Sequence, residues 1–226
     1  MIVTLLGFAL LGLSAAVGFF ERDPVQLIGH ANAQHRPLAV LYVSGDLGRR
    51  FGAGNAITKA LVARGLPVVV LNSPTAFATH KSRGQVDTII SGSVREALTR
   101  SNAERLILIG QSFGSDMLAT GLTSMPQDLR SKIAGVILVV PGKSVFFRAD
   151  PTGLSYRGTP DLTQAELMRG VGWTSVMCIF GATEADSLCP YLKGGNINRI
   201  ALPGGHLLHR DYALVLRTIF KGLPAA

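Results

Sequence analysis

A chain of 226 residues, 47% of them hydrophobic, can bury one good-sized core and needs no second domain. Lys and Arg outnumber Asp and Glu by 22 to 14, giving a net charge of +8 and a pI near 10.0, so the surface favours anionic partners. The sequence has no zinc-finger spacing, basic-region heptad or aromatic RNA-binding strand motif, and its basic residues are dispersed; the expected partner is an anionic lipid surface and not nucleic acid.

Residues 2–20 carry no charge and end at Glu21, Arg22 and Asp23, the pattern of a secretory leader or a short inner-membrane anchor. Ser14-Ala15-Ala16 and Ala31-Asn32-Ala33 offer the small residues that a signal peptidase accepts. Residues 1–36 therefore read as leader or anchor plus spacer, and 37–226 as the folded domain. From there apolar strand-like runs occur at 38–43, 68–71, 106–109, 134–140, 175–180 and 198–202. Between them 53–64, 85–100 and 113–123 space apolar residues three and four apart, as helices do. Continuously apolar strands alternating with helices predict an α/β fold, a mostly parallel sheet of about six strands with helices on both faces. Pro141 to Thr163, rich in Gly, Pro, Phe and Arg, is a long irregular insert and a candidate lid or substrate loop.

The apolar run 106–109 leads into Gly110-Gln111-Ser112-Phe113-Gly114, which fits G-x-S-x-G directly between a strand and a helix. In such a turn the positions two before and two after the serine must lack bulk, or strand and helix collide. The hydroxyl of Ser112 then projects from the sheet edge as a candidate nucleophile, and the Phe113 amide faces a developing oxyanion. The second oxyanion donor is expected after the first core strand, at Gly45 or Asp46.

A serine nucleophile needs a base that follows an acid in the chain order Ser, Asp or Glu, His. His30, His35 and His80 precede Ser112, which leaves His206, in the loop Pro203-Gly204-Gly205-His206, with His209 as competitor. On the loop before the last strand, Asp186 is the favoured acid because a proline follows four residues on, as is common in this acid loop; Glu184 is the alternative. Cys178 and Cys189 enclose that loop, and in an exported protein a pair separated by ten residues reads as a disulfide that fixes the acid. This chemistry requires no metal and no organic cofactor.

Ser44-Gly45-Asp46-Leu47-Gly48, Gly110 to Gly114 with Asp116, Asp186 to Pro190, and Leu202 to His206 followed by Asp211-Tyr212 together resemble the family of the bacterial virulence protein VirJ and the C-terminal domain of AcvB. The resemblance runs from about residue 37 to the end. It implies an α/β-hydrolase fold, a periplasmic location and, from the AcvB relatives, hydrolysis of lysyl-phosphatidylglycerol, an aminoacylated phospholipid. VirJ itself implies the alternative of a non-catalytic binding protein working with secretion-system components. A general small-ester or thioester hydrolase is the third reading. One departure is that Leu47 and then Arg49-Arg50 stand in the first loop, where the family often carries an aromatic. For docking on lipid, Phe146 and Phe147 are expected at the acyl boundary and Arg148 near phosphate, with Asp46 and Asp116 steering a lysyl ammonium.

Overall fold

Seven strands make one sheet in the computed structural model, which describes residues 18–29, 36–163 and 167–223 together with Gly12, Ala15 and Ala16. In chain order the main elements are β1 (Val25–Ile28), β2 (Arg36–Val43), α1 (Gly52–Ala63), β3 (Val68–Leu71), α2 (Ser73–Ala76), α3 (Arg83–Ser101), β4 (Ala103–Gln111), α4 (Phe113–Leu122) and α5 (Gln127–Arg130). There follow β5 (Ile133–Val139), β6 (Ser144–Val145), β7 (Leu162–Thr163), β8 (Val176–Gly181), β9 (Ile197–Leu202) and α6 (Tyr212–Lys221). The sheet order is β1-β3-β2-β4-β5-β8-β9, parallel throughout except for β1.

The central strands are apolar through their buried stretches, Ala39 to Val43 in β2 and Leu106 to Gly110 in β4, because both faces are covered there. Leu41, Val43 and Leu108 pack with Val86 and Ile90 of α3 and Met117 and Leu118 of α4. Their neighbours Val40, Tyr42, Ile107 and Ile109 point the other way, onto Ile57 and Leu61 of α1 and Val215 and Ile219 of α6. Each fully buried Leu or Ile contributes about 1.5–3 kcal/mol. Local signals set the helix ends. Ser82 and Gln85 form a reciprocal capping box at the start of α3, Asn102 in the left-handed region (φ 49°) closes it, and the Asp211 side chain caps α6 through Leu214 N–H at 2.9 Å.

Two expectations change here. The sheet begins before residue 37: Val25–Ile28 is an antiparallel edge strand on Val68–Leu71, so part of the expected spacer belongs to the fold and the strands number seven. Pro24 and Gly29 bracket this strand, and four residues between turn-formers give too short a period to read. The insert, expected to be irregular, is pinned instead. Its β6 pairs with β7, and Val145 and Ala149 are buried in the core. Most of residues 2–20, along with His30 and His35, lie outside the described residues. Among the described residues no helix is long and apolar enough to cross a membrane.

Parallel strands deliver their following loops to one edge. The segments after β2, β3, β4, β5, β8 and β9 therefore meet at the carboxyl end of the sheet, where the candidate site is built.

Candidate active site

Ser112 joins β4 to α4 with φ 52° and ψ −126°, a conformation that costs a non-glycine residue on the order of 1–3 kcal/mol. Close packing on both sides holds it there. A Cβ on Gly110 would stand 2.6 Å from Ser115 Cα, and one on Gly114 would stand 2.2 Å from the carbonyl oxygen of Val43, so both glycines of the motif are sterically required. Ser112 N–H donates to the Val139 carbonyl at 2.8 Å. The buried Ser115 hydroxyl donates to that carbonyl and accepts from Val139 N–H, both at 3.0 Å, which locks the helix start onto β5.

His206 lies on the loop after β9, its Nε2 2.8 Å from Ser112 Oγ. Its Nδ1 is 2.5 Å from Oε1 of Glu184, whose side chain is only 7% exposed. The competitor His209 instead packs its ring against Gly204, within a left-handed stretch of Leu208, His209 and Arg210.

The acid beside His206 is thus Glu184, a correction to the preference for Asp186. The reason is the packing of two loops. Glu184 N–H closes a turn onto the Gly181 carbonyl at 2.9 Å, and Gly181 is where the histidine loop rests, since a Cβ there would meet the Gly205 carbonyl oxygen at 2.3 Å. Two residues later the chain has turned away along the insert. Asp186 accepts from Ser144 Oγ at 3.0 Å, and its own carbonyl takes Lys143 N–H at 2.8 Å.

Cys178 and Cys189 form a disulfide, closing the segment that carries Glu184 onto β8. Closing a loop of this length stabilises by roughly 3 kcal/mol on the chain-entropy account. Urea unfolding of the oxidised and reduced protein is expected to differ by about that amount, with the reduced form also slower on ester substrate. Coincident unfolding curves would show that the bond adds nothing.

Phe113 opens α4, so its amide has no acceptor within the helix and lies beside Ser112, as an oxyanion donor must. Gly45 sits against Gln111: a Cβ there would be 2.8 Å from Gln111 Oε1. Two cavities meet at Ser112 and His206, one of about 520 Å³ and one of about 510 Å³. The first has apolar walls from Leu47, Phe51, Val139, Val140 and Leu208. The second gathers Asp46, Asp116, Glu184 and Asp186, four carboxyls in a chain of net charge +8. Burial pushes the Asp116 carboxyl well above the usual carboxylate range, and the other three acids push the same way, against a 2.7 Å hydrogen bond from Gly142 N–H.

Several expected binding residues take other parts. Asp46 lines both cavities, but its Oδ1 accepts from Asp150 N–H at 2.9 Å and from the Tyr156 hydroxyl, clasping the insert to the loop after β2. Burial pushes it up to about 6 despite those bonds. Phe147 is buried in the core, its N–H donating to Asp161 at 2.8 Å, so the expectation that it reaches lipid is overturned: alternation along the insert sends Val145, Phe147 and Ala149 inward. Phe146 is half-buried, lines the acidic cavity and packs on Tyr156 with ring centroids 5.3 Å apart; Arg148 is exposed. Tyr156 and Ser144 are not legible in the sequence, because a lone tyrosine or serine in an insert carries no pattern.

The family described as bacterial virulence protein (VirJ) matches residues 37–226. The chain belongs to the VirJ family. Among curated proteins no relative matches. Among solved structures, this VirJ-family chain is similar to a hydrolase from Oleispira antarctica, at 10% identity and a TM-score of 0.60 over 91% of this chain and 96% of that one. It is similar to dienelactone hydrolase from Anabaena variabilis, at 13% identity and 0.60 over 87% and 88%. A third is naproxen esterase from Bacillus subtilis, at 10% identity and 0.57 over 88% and 87%. These likenesses show the α/β-hydrolase fold.

Proposed function

We propose that the protein is a serine hydrolase of carboxylic esters. The observation that carries this reading is the line from Ser112 Oγ through both ring nitrogens of His206 to Glu184. Ser112 attacks the acyl carbonyl while His206 Nε2 takes its proton. Glu184 holds the ring and stabilises the imidazolium. The Phe113 amide and an amide at Gly45 or Asp46 receive the oxyanion. Collapse of the intermediate breaks the ester bond, and His206 returns the proton to the departing alcohol. Water, deprotonated by the same histidine, then attacks the acyl-enzyme and regenerates Ser112. That the similar structures include named esterases agrees with this reading.

The substrate we favour is an aminoacyl ester of a phospholipid, lysyl-phosphatidylglycerol. The acidic cavity suits a cationic acyl group, and the apolar cavity that meets it at Ser112 and His206 suits the lipid alcohol. Of the acids, Asp186, exposed at the wall of the acidic cavity, is better placed for the ammonium than Asp46, which is engaged by the insert, or Asp116, whose buried carboxyl accepts from Gly142 N–H. A disulfide is at home in an oxidising compartment, which supports a periplasmic site of action. An assembly protein without turnover has no use for a serine, histidine and carboxylate in this register.

The test is release of free lysine from lysyl-phosphatidylglycerol in mixed micelles, leaving phosphatidylglycerol, measured beside hydrolysis of short acyl esters. Cleavage of short esters with the lipid untouched would retire the aminoacyl-lipid reading in favour of a general esterase or thioesterase.

A further inference from the structure

Three large apolar side chains stand in water around the mouth of the apolar cavity: Leu47 is 46% exposed, Phe51 41% and Leu207 64%. Leu47 and Phe51 come from the loop after β2 and Leu207 from the histidine loop, two segments about 160 residues apart that the sheet brings to one rim. Scattered exposed leucines need no explanation; a set converging on one opening does. Arg49 and Arg50 lie between Leu47 and Phe51 in sequence, and Arg210 lines the same mouth. The Arg49 guanidinium donates to the Gln26 amide oxygen at 3.1 Å.

A second observation points to the same side. The described end of the N-terminal segment is held at the carboxyl edge of the sheet: Gly18 accepts from the Thr75 hydroxyl, and Glu21 pairs with Arg50 at 2.6 Å. Residues 18–21 thus sit against the loop after β2 at Arg50, the residue before Phe51.

We propose that this rim is a docking surface for an anionic lipid bilayer, with Leu47, Phe51 and Leu207 entering the acyl boundary and Arg49, Arg50 and Arg210 at phosphate depth. The proposal rests on the reading that the substrate ester belongs to a lipid, and it replaces the insert as the docking element. Seated in this way, the apolar cavity opens onto the bilayer and runs to Ser112, so a headgroup ester reaches the nucleophile while its acyl chains stay in the membrane.

The experiment measures binding, separate from turnover. Ser112→Ala protein is floated with vesicles of phosphatidylglycerol and phosphatidylcholine that contain no aminoacyl lipid, so failure of lysine release in the assay above leaves this result standing, and the reverse. The parent is expected to float with anionic vesicles and to be released by salt. Phe51→Glu with Leu207→Glu should lower the bound fraction at least tenfold, and Arg49→Gln with Arg50→Gln several-fold. Arg105→Gln, at the opposite end of β4, should bind within twofold of the parent. Thermal unfolding checks that each variant is folded. A parent that stays in solution, equal binding to pure phosphatidylcholine, or an equal loss from Arg105→Gln would overturn the proposal. So would a concentration-dependent dimer that the double glutamate variant breaks without vesicle binding, since the rim would then serve a second copy of the chain.

Discussion

Ser112→Ala is expected to lower kcat/KM on any ester substrate by about 10⁴-fold or more while leaving the fold intact. The oxygen removed is the one His206 Nε2 meets at 2.8 Å. A fluorophosphonate probe should label the wild type and not the variant. Ser112→Gly should be equally inactive yet unfold at the same or a higher temperature, because glycine adopts φ 52°, ψ −126° without the strain that a Cβ brings. Equal labelling of wild type and Ser112→Ala would remove the serine from the mechanism. A glycine variant that unfolds well below the wild type would show that the turn is not strained.

Glu184→Gln is expected to cost about 10⁴-fold in kcat, and Asp186→Asn less than about tenfold. An amide at position 184 cannot stabilise the imidazolium and favours the wrong tautomer of His206, since its NH₂ group can donate toward Nδ1. The same change at 186 disturbs only the hydrogen bond from Ser144 Oγ and one carboxyl of the acidic cavity. Should Asp186 serve the ammonium of an aminoacyl substrate, Asp186→Asn will raise KM for that substrate and leave kcat on short neutral esters unchanged. Kinetics of both variants on both substrate classes decide it: a collapse of kcat in Asp186→Asn with an active Glu184→Gln would reverse the assignment.

The features legible in the sequence are those set within a few residues. Five of the seven strands follow from near-continuous apolar runs, since a strand covered on both faces must be apolar through its buried length, while β9 at the sheet edge keeps Asn198 and Arg199 exposed. The nucleophile turn was equally plain, because the steric demand on Gly110 and Gly114 is local: strand end, turn and helix start are contiguous, and bulk at either position meets the backbone of Ser115 or Val43. His206 could be picked from five histidines by chain order and a glycine-flexed loop. Contacts between distant segments were beyond that reach. Glu184 and Asp186 share one loop, and only the packing of the histidine loop on Gly181 selects between them. In the sequence the Asp46 carboxylate reads as open to a ligand; in the fold Asp150 and Tyr156, more than a hundred residues away, occupy it. Phe147 reads as a surface anchor because its burial depends on β6 pairing with β7 and on Asp161 taking its N–H. Backbone sterics and hydrophobic periodicity act over a handful of residues and so are written in the local sequence; the partner of a carboxylate and the facing of an insert depend on which distant loops the sheet brings to one edge.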